Sequence, residues 1–171
     1  SAYPASAFVD GNNAAIVFRV VTGFAYNTDL VKGDNIPKTF ADFTKPFWKN
    51  RLVASDPNSS DTVFQVWYAI YKTYGGEVIQ QINANIVASS KKQTSFVPGA
   101  TQVAAGEAYA SLMQAQTTVA GLEANGAPIK WARPAVTTST TYILGVSTKA
   151  PHPAAAQLFS HWAYTAAGQK G

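Results

Sequence analysis

The sequence predicts an α/β fold, on three observations. Apolar residues make up 47% of the chain and charged ones only 13%, which is a globular composition. Short β-rich runs such as Ile16-Val17-Phe18 and Leu52-Val53-Ala54 alternate with stretches whose apolar residues recur at helical spacing. The resulting order, β–α–α–β–α–β–β–α, is that of strands and helices layered on one another. At 171 residues the chain suits a single domain with room for a sizeable core.

Residues 1–13 are polar with a Gly-Asn-Asn turn and read as a loop. Ala14 to Ala25 carries β-branched and aromatic residues and predicts one or two strands. Asn27 to Asp34 is a turn region, and Pro37 to Phe43 predicts a short helix capped by Thr39. Leu52-Val53-Ala54 is a short buried strand that ends at Asp56-Pro57. The helix that follows has the clearest local signal. Ser59 or Ser60 is its N-cap, Val63, Phe64, Trp67, Ile70, Tyr71 and Tyr74 follow helical spacing, and Gly75-Gly76 stops it. Trp67, Tyr71 and Tyr74 share a face and are assigned to the core.

A second helix is expected over Glu77 to Ile86, with Val78, Ile79, Ile82 and Ile86 on one side. Ser89 to Ser95 is polar and reads as an exposed loop. Pro98 to Ala105 predicts a short helix, Tyr109 to Met113 a strand, and Gln116 to Ala124 a helix closed by Asn125-Gly126. Ile129 to Ala132 and Thr140 to Val146 are strand candidates. Finally, Ala150-Pro151-His152-Pro153 opens a helix whose Ala156, Leu158, Phe159, Trp162 and Ala163 fall mainly on one face. That pattern predicts a helix docked on a core and stopped near Gly168-Gln169.

Composition narrows the function. The net charge is +4, but the basic residues are scattered and only Lys91-Lys92 are adjacent, so no nucleic-acid surface is expected. With no cysteine, a disulfide framework, a thiol nucleophile and a cysteine metal site are all excluded. No apolar run is long enough for a membrane span, and no signal peptide is recognised at Ser1. His152 and His161 lie nine apart, without zinc-ligand spacing, so no metal site and no cofactor is expected. The sequence holds no G-x-S-x-G elbow, P-loop or G-x-G-x-x-G, and no catalytic residue is assigned.

Three places offer binding chemistry. In Asp56-Pro57-Asn58-Ser59-Ser60-Asp61-Thr62, a strand passes through a polar turn into a helix. The first-turn N–H groups of that helix can hold an anion, with Asn58 and the hydroxyls of Ser59, Ser60 and Thr62 adding hydrogen bonds. The competing reading is that Ser60 only caps the helix and that Asp61 already answers its dipole. Tyr26 either packs at a strand end or presents its ring and hydroxyl to a ligand. Gln114 and Gln116 either line an exposed strand-to-helix turn or hydrogen-bond an organic ligand.

Several segments resemble one family, in its order. Lys149 to Gly168, KAPHPAAAQLFSHWAYTAAG, is similar to the "APHPNAAKLF…W…S.EGQ" segment of bacterial solute-binding proteins that serve ABC transporters, in the ferric-iron and polyamine-binder branch. Tyr26-Asn27-Thr28-Asp29-Leu30-Val31 resembles "YNTDLV", and Pro37 to Phe43 resembles "P.TW.DL". Pro46-Phe47-Trp48-Lys49-Asn50-Arg51-Leu52 resembles "P.WKGKI". Asp56 to Ser60 resembles "DP..SG", and Val103 to Glu107 resembles "V..GE".

The resemblance implies a periplasmic-binding-protein-like type II lobe, with a central mixed sheet flanked by helices. Residues 1–171 then form a single α/β domain, mainly the second lobe of a two-lobe protein, with no counterpart to the opening half of the first. It implies a small polar or anionic solute held in an interlobe cleft, with Tyr26, Asn58, Ser59, Ser60, Asp61, Thr62, Gln114 and Gln116 as candidate contacts. It further implies an ABC permease as partner and a periplasmic or cell-surface location in the parent protein. The tyrosine pair that ligates iron in ferric binders falls, aligned without gaps, on Gln116-Thr117, which supply no phenolate. Two other readings remain: a standalone interaction domain forming a homodimer through an exposed cleft face, and a hydrolase-type enzyme on a similar scaffold.

Overall fold

The computed structural model describes residues 7–9, 14–87 and 95–170. The chain divides into two units, Val21–Ser139 and Ser1–Val20 with Thr140–Gly171. Strand β2 (Ala14–Asn27) runs through both.

In the unit from Val21 to Ser139, the second half of β2 is central. It pairs antiparallel with β4 (Ala110–Ala115) on one edge and with β5 (Ile129–Ala132) on the other. Beyond β4 lies β3 (Leu52–Val53), which is parallel to it, with Leu52 opposite Ala110 and Val53 opposite Ser111. The sheet is therefore mixed, and helices cover both of its faces. Strand periodicity decides which side chain meets which helices. Phe24, Tyr26, Leu52, Ala110 and Leu112 face a core built with Val63, Val66 and Ile70 of α1 (Asp61–Tyr74) and Ile82 of α2 (Gly76–Asn85). Ala25, Val53 and Ile129 face a second core, with Ala100 and Val103 of α3 (Phe96–Ala104) and Val119 of α4 (Gln116–Ala124). Every residue of β4 is buried, as expected for a strand covered on both sides.

One irregularity interrupts this alternation. Gly23 pairs with Gln114 but Phe24 pairs with Leu112, so Met113 is the extra residue of a β-bulge. Its φ is +65°, and its side chain joins the same core as Leu112 although the two are adjacent. The bulge thus resets which way Gln114 and Ala115 point.

Local chemistry accounts for the element ends. Ser60 caps α1 by accepting a hydrogen bond from the Val63 N–H at 3.3 Å, and Gly75 ends it at φ +84°. Asn125 and Gly126 close α4, the latter at φ +79°. The segment expected as a helix over Pro37 to Phe43 is a 3-10 helix at Phe40–Thr44. Asp42 holds its start by accepting from the Lys38 N–H, the Thr39 N–H and the Thr39 hydroxyl at 2.9–3.1 Å, and from Lys45 Nζ at 2.7 Å. Partial burial alone would raise the Asp42 pKa, but the donors from Lys45, Lys38 and Thr39 outweigh it and hold the carboxyl well below the usual range.

The other unit contains β1 (Phe8–Val9), the first half of β2, most of β6 (Thr138–Gly145) and α5 (Pro153–Ala163). β1 is antiparallel to β2, with Phe8 opposite Ala15, and β6 also pairs with β2. The Tyr164 hydroxyl donates to the Ala15 carbonyl at 2.8 Å.

Four expectations need correction. Phe8–Val9 form a strand within the stretch read as a loop, where the apolar pair completes a ladder with Ala14 and Ala15. In α1, Phe64 and Tyr71 are exposed at 56% and 53%, because the buried stripe runs through Val63, Val66 and Ile70, with Trp67 and Tyr74 at its margin. In α5 only Ala163 is buried, and the helix ends there rather than near Gly168. Ser95 is not loop but the N-cap of α3. The rest of the stretch read as a loop from Ser89, and residues 1–6 and 10–13, lie outside the described residues.

Candidate functional site

β3 and β4 are parallel, so their carboxyl ends lie on the same side of the sheet. In open α/β sheets that is the side on which ligands bind. After β3 the chain continues through Ser55 into the Asp56–Ser60 turn and α1. After β4 it passes directly from Ala115 into α4, whose N-cap makes no side-chain hydrogen bond. The start of α3 joins them. Ser55 Oγ donates to the Ser95 carbonyl at 3.0 Å, and Gln114 Nε2 donates to the Phe96 carbonyl at 2.9 Å. Trp67 Nε1 of α1 reaches the Ser55 carbonyl at 3.3 Å, and Trp131 Nε1 of β5 reaches the Gln114 carbonyl at 2.9 Å. The starts of α1, α3 and α4 are thus tied to the ends of two parallel strands.

Gln114 is the most constrained member. It is buried, and its amide N–H groups are directed at Phe96 and at Ser111 Oγ, the latter at 2.7 Å. That leaves its carbonyl Oε1 without a partner, one of two such buried side-chain atoms among the described residues. The other is Thr22 Oγ1. Thr22 pairs with Ala115 and the neighbouring Gly23 with Gln114, so both orphan atoms belong to adjacent rungs of one ladder. Buried polar atoms normally have partners, and ordered water between adjacent rungs is the ordinary way such atoms are satisfied.

The turn before α1 behaves differently. Asp56 Oδ1 accepts from the Asn58 N–H at 2.8 Å and from Asn58 Nδ2 at 3.0 Å, and the Ser59 hydroxyl donates to the Asp56 carbonyl at 2.6 Å. Ser60 serves the helix cap. Local bonds therefore hold Asn58, Ser59 and Ser60 in a preset turn, with Asp61 and Thr62 in the first turn of α1. Gln116 is exposed at the first position of α4.

Tyr26 is not brought to this group. It pairs with Ala110, at the amino end of β4, and is buried in the α1/α2-side core. Four residues of strand separate that position from Gln114, roughly 13 Å at strand rise. Asn58 to Thr62, Gln114 and Gln116 do share the carboxyl side. Thr22, Ser55, Ser111 and Trp131 were not anticipated as members. Only the place of Ser55, directly after a short buried strand, signals its role in sequence.

Among the described residues, no group of His, Asp and Glu is arranged to hold a metal ion. No helix is long and apolar enough to cross a membrane.

Residues 2–169 match the family model described as bacterial extracellular solute-binding protein. The chain belongs to that family. Solved structures agree on the fold of this solute-binding protein chain. A periplasmic binding protein from Actinobacillus pleuropneumoniae, with fructose-6-phosphate bound, is 24% identical with a TM-score of 0.74, over 94% of this chain and 52% of that one. The substrate-binding protein of an ABC transporter from Agrobacterium tumefaciens is 17% identical with a TM-score of 0.82, over 99% and 52%. Iron-bound HitA from Pseudomonas aeruginosa is 18% identical with a TM-score of 0.73, over 98% and 56%. No curated protein sequence matches the chain. The mixed α/β sheet flanked by helices is that of type II periplasmic binding proteins, and this solute-binding chain spans about half the length of these solved relatives.

Proposed function

We propose that the chain is mainly the second lobe of a two-lobe solute-binding protein of an ABC importer, and that it supplies one side of a site for a small polar or anionic solute. The observation that carries this reading is that α1 and α4 both start at the carboxyl side of the parallel strands β3 and β4. Their first turns offer backbone N–H groups and favour an acidic group on the solute. Asn58, Ser59, Thr62 and Gln116 supply the remaining polar contacts, while Tyr26 serves packing.

Such a site works by selection and closure, without chemistry on the solute. An opposing lobe covers the solute and removes water, and the closed form is what a permease engages. The working location is then periplasmic or extracellular. One lobe alone makes only part of the contacts, so it binds weakly.

The test is titration of the isotope-labelled chain with fructose 6-phosphate, inorganic phosphate and spermidine, read by amide chemical shifts. Saturable shifts at Asn58–Thr62 and Gln114–Thr117 with an anionic probe, weakened several-fold by Gln116→Ala, are expected. Shifts confined to other residues, or none with any of the three probes, would overturn the reading.

A further inference from the structure

We propose that the outer side of α1 is a self-association surface, on which two copies of the chain pair α1 against α1, antiparallel, as a two-fold homodimer.

The two sides of α1 differ in what they meet. Val63, Val66 and Ile70 fall within about 60° of one another around the helix, and all three are buried in the core. Asp61, Phe64, Gln65, Tyr68, Tyr71 and Lys72 fall within about 120° on the opposite side, and all six are exposed. A surface helix ordinarily turns charged and polar groups away from its core stripe. Here the middle of the outer side is aromatic instead, with Phe64, Tyr68 and Tyr71 exposed at 56%, 52% and 53%. The Phe64 and Tyr68 rings are nearly parallel, 14° apart in plane, with centroids separated by 6.1 Å. They form a continuous patch rather than scattered apolar residues, and such patches mark interaction sites. The unit that holds α1 has a buried core on each side of its sheet, so the patch is not a gap in that packing.

The charges at the ends of the stripe indicate the occupant. Asp61 opens α1, Lys72 lies about three turns further on along the same side, and neither forms an ion pair among the described residues. Turned end for end, a second copy sets its Lys72 beside Asp61 and its Asp61 beside Lys72. Two ion pairs then close both ends of the seam, and the helix dipoles oppose each other. At a rise of about 1.5 Å per residue, this register places Phe64 of each copy level with the gap between Tyr68 and Tyr71 of the other. The two Tyr68 rings then flank the two-fold axis. A parallel pair would set Asp61 against Asp61 and Lys72 against Lys72, so only the antiparallel pair is complementary in charge.

The area is modest. Three half-exposed aromatic side chains offer about 100 Å² each. With Asp61, Gln65 and Lys72 the stripe covers about 500 Å² per copy, below the ~800 Å² per partner of a standard interface. The dimer is therefore reversible, with a dissociation constant in the micromolar range. Neither the family assignment nor the solute site enters this inference.

The test is sedimentation equilibrium of the gene product as its host makes it, from about 1 to about 500 μM. A monomer–dimer equilibrium is expected, weakened about tenfold or more by Tyr68→Ser. Asp61→Lys sets like charges together at both ends and should weaken the dimer several-fold. Adding Lys72→Asp to that variant should recover the parent constant to within about twofold. Circular dichroism checks that each variant remains folded. These residues include no cysteine, so Gln65→Cys carries a single nitroxide label that needs none of the charge changes. Labels on paired helices should lie about 20 Å apart by pulsed electron resonance. A monomer at every concentration would overturn the proposal, whatever else the stripe then binds. So would a dimer indifferent to Tyr68→Ser, a folded double variant that fails to recover, or labels showing no short distance. Solute plays no part in these measurements, so a failed solute titration leaves them interpretable.

Discussion

Asn27 and Val103 are 76 residues apart, yet the Asn27 side-chain amide donates to the Val103 carbonyl at 2.7 Å inside the fold. The same side chain turns the backbone after β2, since its Oδ1 accepts from the N–H groups of Asp29 at 2.8 Å and Leu30 at 3.1 Å. Asn27 is buried, and both ends of its amide are occupied. It ties the exit of the central strand to the last turns of α3. Its role in the Tyr26–Val31 motif is therefore structural.

Removing that side chain should be costly. Asn27→Ala loses bonds made at both ends of the amide and leaves buried groups unsatisfied, for an expected loss of about 2–4 kcal/mol. Urea unfolding checks this, with the exposed Asn58→Ala as a control expected to change stability by less than about 1 kcal/mol. Equal effects of the two would refute the structural role.

Gly23 should resist any side chain. A Cβ there would come within 2.9 Å of the Trp131 ring and would overlap the Ala132 carbonyl oxygen. Both belong to the neighbouring strand, so β5 would have to move and the Trp131–Gln114 hydrogen bond with it. Gly23→Ala is expected to cost about 1–3 kcal/mol and to shift the tryptophan emission. A variant as stable as the parent would show that β5 is not held as described.

Acid sensitivity should trace in part to Asp42. Its folded pKa lies below the ordinary value of 3.8, so the stability it contributes is fully present above that value. It is lost as pH falls below 3.8 toward the depressed folded pKa. Asp42→Asn should therefore be less stable than the parent at neutral pH, by about 1–3 kcal/mol for bonds to a charged group. The difference should shrink steadily below the ordinary carboxylate range. Thermal unfolding against pH for both proteins tests this, and a gap unchanged in acid would contradict it.

The face of α1 gives a sharp contrast. Ile70 is fully buried whereas Tyr71 is exposed. Ile70→Ala should cost about 2–5 kcal/mol, and Phe64→Ala or Tyr71→Ala less than about 1 kcal/mol. Denaturant midpoints measured side by side decide whether the helix is rotated as found.

The positions of these elements show what could be read from the chain. The α4 boundaries, Gln116 to Ala124, and the β5 boundaries, Ile129 to Ala132, follow from residue type alone, because caps, glycines and β-branched runs act over a few neighbours. The Gly75 stop of α1 was legible in the same way, whereas its cap was narrowed in sequence only to Ser59 or Ser60 and lies at Ser60 in the structure. Sequence also carried the family, through short motifs spread along the chain and in order. At the candidate site, Asn58 to Thr62, Gln114 and Gln116 were visible as polar residues at element junctions. Nothing local distinguished them from Tyr26, which proved to lie at the other end of β4.

By itself, then, the sequence determined the α/β class, most element positions, the solute-binding family and the turn chemistry that ends its helices. Only the tertiary structure decided which apolar stripe of α1 is buried, that the aromatic side of α5 stands open, and that Met113 bulges. It also decided that the carbonyl of Gln114 is left without a partner. The physical reason is range. Propensity and capping depend on residues within one or two turns, whereas burial and hydrogen-bond satisfaction depend on what the sheet register brings together. Here that register joins Gln114 to Gly23 and, through the bulge one residue earlier, sets the direction in which its side chain points.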